Sequence, residues 1–201
     1  MADKKSNGMD TEVVMTSLVL QPTDTAQWHA LVADAQQACH RQLDEALESY
    51  LVFLLMRFTG RPEMVAKLMA LEFLEAQKDT PRKPDMLRDV GDQCLLFSGL
   101  FPKLAEKRMV RVSYFVRIGR SAYDQLGALV DRNSDRLYAG LADAFIGIMD
   151  VLQAMRGLSG DPVLQPLQAA ELWADTGSRS AYRSLLQASG ATPVKGIIRP
   201  Q

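Results

Sequence analysis

The sequence is poor in the side chains that most often carry chemistry. Two cysteines, Cys39 and Cys94, and two histidines, His29 and His40, are all that 201 residues contain. Both cysteines sit in apolar helical contexts. A disulfide scaffold needs more of them in a shorter chain, and a zinc site needs clustered ligands. They read as reduced packing residues, because a free cysteine behaves as a small hydrophobe. His29 and His40 are eleven positions apart, about 16 Å along a helix axis, so they cannot share one metal ion. Neither has a glutamate three residues before it, which excludes a carboxylate-bridged di-metal bundle built on Glu-x-x-His pairs. No metal and no cofactor is expected.

Other signatures are missing too. There is no G-x-S-x-G, no P-loop, no H-E-x-x-H and no glycine-rich dinucleotide turn. Gly119-Arg120-Ser121-Ala122 is not a phosphate loop, because helical periodicity runs straight through it. The longest apolar run, Tyr50 to Met56, stops at Arg57, well short of the ~20 residues of a membrane-spanning helix. Met1 to Asp10 is polar and lacks the apolar stretch of a secretion signal. These absences predict no membrane span and a cytoplasmic location. Neither sign of charge prevails: the net charge is -1 and the pI about 6.1. A nucleic-acid partner held by bulk charge is therefore not expected.

What remains is an ordinary globular composition, 47% hydrophobic and 23% charged, in a chain long enough for one self-sufficient domain. The sequence divides into an arm at 1–22, a helical domain at 23–190 and a tail at 191–201. Val13 to Leu20 is apolar and β-branched, so the arm is expected to include a short extended segment. From Trp28 to Phe58 apolar residues recur at helical spacing behind a cap at Thr23 or Asp24. The pattern fits one helix of about 54 Å or two joined near His40. Gly60 stops it and Pro62 opens a helix over 62–78, followed by a linker at 80–84. Further helices are predicted over 85–98, 110–131, 135–157, 163–175 and 178–189, with a short turn from Pro102 to Arg108. Glycines, Asn133-Ser134 and an Asp161-Pro162 cap punctuate them. The fold expected is an all-α bundle of about six to seven helices with neighbours roughly antiparallel.

The helix faces carry the candidates. On 110–131, Phe115, Ile118, Gly119, Ala122, Tyr123, Leu126 and Val130 share an apolar arc, and Arg117, Arg120, Asp124 and Asp131 the other. The stretch 103–120 holds Lys103, Lys107, Arg108 and Arg111 against a single acid, Glu106. It reads either as a solvated face or as a patch for an anionic surface. Arg120 and Asp124 have the spacing of a local pair. On 135–157 a stripe of small residues, Gly140, Gly147 and Ala154, suggests a close backbone approach, either to Gly119 and Ala122 or to a second copy of the chain. Gly91 and Ser98 make a similar line. Glu72 lies opposite the charged side of helix 62–78, among Val65, Leu68, Met69 and Ala76. A carboxylate there is paired, or protonated with a raised pKa. It is either a general base or metal ligand, with Arg111, Tyr114 and Tyr123 as further polar residues of an inter-helix pocket, or a structural ion pair with an arginine such as Arg57 or Arg111. Met56, Met64, Met69, Met149 and Met155 are core filling or the lining of such a pocket.

Three stretches resemble a group of bacterial helical proteins to which no activity is attached. They are Gly91-Asp92 with Leu95 to Pro102, Tyr114 with Gly119 to Tyr123, and Glu171-Leu172-Trp173 with Thr176-Gly177-Ser178. The resemblance covers roughly 85–190 and implies a bacterial, cytoplasmic origin. It transfers no functional residue. Three functions are compatible with the sequence: a non-enzymatic interaction or regulatory module binding a protein partner or itself; a small-molecule or lipid binder or enzyme with an inter-helix pocket near Glu72; and an anionic-surface binder using 103–120.

Overall fold

A computed structural model describes residues 24–60, 82–103, 110–158 and 164–189. Among the described residues there are seven helices and no strand: α1 (Asp24–Cys39), α2 (Glu45–Gly60), α3 (Lys83–Leu100), α4 (Val112–Gly127), α5 (Arg132–Leu158), α6 (Pro166–Thr176) and α7 (Arg179–Ser189). The all-α bundle expected from periodicity is the observed architecture. Helix 62–78, the 1–22 arm, the 191–201 tail and the Asp161-Pro162 cap lie outside the described residues.

Two helices make the centre. In α3 every residue from Val90 to Gly99 is buried, because α4 and α5 pack against it from two sides. The four consecutive apolar residues Cys94 to Phe97 face all round the helix and need this enclosure. α5, with 27 residues, spans about 40 Å and touches α1, α2, α3, α4 and α7. Its Ser134–Leu158 stretch is long and apolar enough by composition to cross a membrane, yet half of that window is buried inside the bundle. α6 and α7 form a hairpin that packs chiefly on itself.

Small residues mark close approaches, but not where the spacing of glycines suggests. A Cβ at Gly147 would meet nothing within 4 Å, and one at Gly140 only Leu47, at 3.6 Å. Among the described residues, Gly140 and Gly147 of the α5 stripe therefore meet no close backbone. The tight positions are Gly119, where a Cβ would fall 2.5 Å from the Phe145 ring, Gly91, 2.5 Å from Tyr123, and Gly99, 2.4 Å from Leu152. Each glycine admits a large side chain of a neighbouring helix rather than a facing glycine.

The long first segment is two helices. His40 adopts a left-handed φ of 50°. Arg41 N–H donates to Gln36 O at 3.0 Å and His40 N–H to Gln37 O at 3.2 Å, the bond pair of a Schellman C-cap, a position where glycine is usual. Buried Gln36 then accepts from Leu43 N–H at 2.7 Å, and Asp44 caps α2 by accepting from Leu47 N–H at 2.8 Å. α3 begins earlier than the 80–84 linker implied, since Pro84 fits a first helical turn. Its C-terminus is finished by α5. Pro102 has no N–H to give Ser98 O, and Gln153 Nε2 donates to that carbonyl instead, at 3.0 Å. Arg156, one turn on, donates to Leu100 O.

Candidate functional site

The buried polar groups of the bundle converge on two aspartates. Asp92 on α3 is wholly buried. Tyr50 Oη and Tyr123 Oη both donate to its Oδ1, at 2.6 and 2.7 Å, and the Arg57 guanidinium meets Oδ2. Tyr50 and Arg57 are two turns apart on α2, so one face of that helix presents both donors. Tyr138 completes the surroundings, stacked on Tyr123 and edge-on to Tyr50 at ring distances of 6.3 and 6.4 Å. Burial raises the Asp92 pKa above the usual carboxylate value, against the pull of Arg57 and the two hydroxyls. Burial, reinforced by the Asp92 charge, pushes both tyrosines well above their ordinary range, so both stay neutral donors. Burial works against the Arg57 charge, but adjacent Asp92 outweighs it and holds the guanidinium protonated. Two hydroxyls occupy Oδ1 and a cation occupies Oδ2, so the carboxylate is fully engaged with its own chain.

Asp150 on α5 is equally buried. Ser178 Oγ donates to Oδ1 at 2.6 Å, while Arg179 N–H and Arg41 Nη2 donate to Oδ2 at 3.2 and 2.9 Å. Ser178 Oγ also accepts from Ala181 N–H at 3.1 Å as the cap of α7. An anion from α5 thus sits at the positive end of α7.

A groove of about 320 Å³ opens between the start of α4 and α6, lined by Val110, Arg111, Val112, Ser113, Leu167, Gln168, Glu171 and Leu172. Leu167 stands 73% exposed beside it. Arg111 is the N-cap residue of α4 and lies 3.5 Å from Glu171 and 3.8 Å from Asp175. Ser113 Oγ donates to Asp175 Oδ2 at 2.6 Å. Val110, Val112, Leu167 and Leu172 give it apolar lining and Arg111, Ser113, Gln168 and Glu171 polar lining.

Of the pocket candidates, the described Arg111, Tyr114 and Tyr123 fall in different surroundings. Tyr123 is in the Asp92 cluster, Arg111 edges the groove, and Tyr114 is half-buried with its ring against Phe115 at 5.7 Å. Tyr114 and Tyr123 are nine residues apart on α4, about 14 Å along its axis. Glu72, Lys107 and Arg108 lie outside the described residues, and Lys103 is half-buried. Arg120 donates its Nε–H to Ala142 O of α5 at 2.9 Å, a bond across helices rather than the local pair with Asp124. His29 pairs with Glu48 at 3.1 Å. Cys39 and Cys94 are buried and not joined in a disulfide, and burial raises the pKa of each. Among the described residues no group of histidine, cysteine and acidic side chains is arranged to hold a metal.

Neither aspartate was singled out from the sequence, though both leave a trace there. Asp92 precedes Leu95-Leu96 by one turn and so shares their enclosed faces. Asp150 is the only charge in Phe145 to Ala154. A lone acid inside an apolar run must find donors. Comparison with protein-family models, with curated proteins and with solved structures finds no match to this chain.

Proposed function

We propose that the chain is a non-enzymatic helical interaction module that binds an apolar segment of a protein partner in the groove between α4 and α6. The observation that carries the reading is the contrast between its interior and that groove. The charged groups of the core are engaged by donors of the same chain: Asp92 by Tyr50, Tyr123 and Arg57, Asp150 by Ser178, Arg179 and Arg41. They hold helices in register. At the groove, by contrast, Leu167 is presented to solvent between Arg111 and Glu171. A patch that mixes apolar and charged side chains is compatible with a protein-binding surface, and covering Leu167 there removes apolar area from water. The expected setting is a bacterial cytoplasm, as the resemblance of residues 85–190 implies.

The test is co-purification of the full chain from its own cells beside its Leu167→Glu variant, each checked for helicity. Recovery of one specific protein by the wild type and its loss with Leu167→Glu supports the reading. A small molecule retained by both proteins in native mass spectrometry, with no protein lost, overturns it in favour of a ligand pocket elsewhere.

A further inference from the structure

The α6–α7 hairpin is attached differently from the other helices. α4 buries nine of its residues. Across the hairpin the wholly buried apolar side chains are Ala169, Leu172 and Ala181, with Trp173 and Leu185 half-buried against the core, so fewer apolar side chains hold it down than hold α4. The two helices pack chiefly on each other, with Trp173 against Tyr182 at 5.5 Å. What joins them to the bundle is largely polar. Asp175 accepts from Ser113, Asp150 receives Ser178 and Arg179, and Arg183 donates to Ala38 O at 2.8 Å. The groove lies along the same seam, beside the Ser113–Asp175 bond.

We propose that the α6–α7 hairpin is a displaceable flap, opening from the bundle as one unit, and that the Asp150 latch sets how often it opens. Segments with few buried apolar contacts open below the global unfolding free energy, as cooperative units. Opening turns the groove into a wider cleft, so a partner wedged beside Leu172 would hold the flap displaced. That consequence rests on the groove reading; the opening itself does not.

The experiment is native-state hydrogen exchange by mass spectrometry on the full chain without any partner, for the wild type and Ser178→Ala. Segments from 166–189 should exchange together, at least about tenfold faster than 87–99 and 141–155. Ser178→Ala removes both a latch donor and a helix cap. It should speed the 166–189 group by a further factor of about five while 87–99 is unchanged. Equal rates for the hairpin and the core helices in the wild type would overturn the proposal, and that comparison decides even if the variant fails to fold. A Ser178→Ala effect spread evenly over all helices would overturn the latch. With no partner in the experiment, its failure is separate from any failure of the groove to bind.

Discussion

At the residue scale, the side chains that matter most are ones whose surroundings decide their chemistry. Asp92 has a folded-state pKa raised above 3.8 by burial. A raised carboxylate pKa gives stability that is fully present below the unfolded value and is lost as pH rises through the folded one. The stability of the wild type relative to Asp92→Asn should therefore fall as pH climbs above about 4. Urea unfolding at stepped pH checks it, and a rise over that window would contradict the assignment. His40 occupies a left-handed position with φ 50°, which costs a non-glycine residue about 1 kcal/mol. His40→Gly should raise stability by about 0.5–1 kcal/mol in the same assay. Buried Cys39 and Cys94 should escape a thiol reagent in the native protein, and both should react once urea is added. The sequence showed both thiols in apolar helical contexts. It left open whether the first segment breaks near His40, because the signal that ends a helix there is usually a glycine, and the capping bonds to Gln36 and Gln37 are visible only in three dimensions.

At the scale of elements, helix existence was legible and helix contact was not. The apolar arc of α4 has Phe115, Gly119, Ala122, Tyr123 and Leu126 buried, as its periodicity requires. The partners of that arc depend on which helices lie alongside, which no single-helix pattern encodes. Gly119 meets Phe145, while the more regular Gly140 and Gly147 meet almost nothing. Gly119→Ala should thus destabilise by about 1–3 kcal/mol through overpacking. Gly147→Ala, in open space within a helix, should stabilise by about 0.5–1 kcal/mol. Denaturant midpoints of the two variants would separate in opposite directions; a shared sign would contradict the packing described. The α3 C-terminus is a second case. Gln153→Ala leaves the Ser98 carbonyl without its donor inside the core and should cost about 1–3 kcal/mol.

At the scale of the whole molecule, the chain spends its interior polar groups on joining helices: Asp92 ties α2 and α4 to α3, and Asp150 ties the α1–α2 turn and α7 to α5. Composition predicted the bundle, because apolar residues at helical spacing in 201 residues must bury one another. The groove was not legible. Arg111 was visible as a polar residue near the core, but its companions Leu167 and Glu171 come from a helix 50 or more positions away, and only packing brings α6 beside α4. The most direct measurement is site-specific photo-crosslinking in living cells, with a photoreactive amino acid placed at Leu167 and, as a control on the exposed surface, at Leu129. The account predicts one discrete protein adduct from position 167 and none from 129. No adduct from 167, or the same adducts from both positions, would contradict the claim that this groove is where the protein meets its partner.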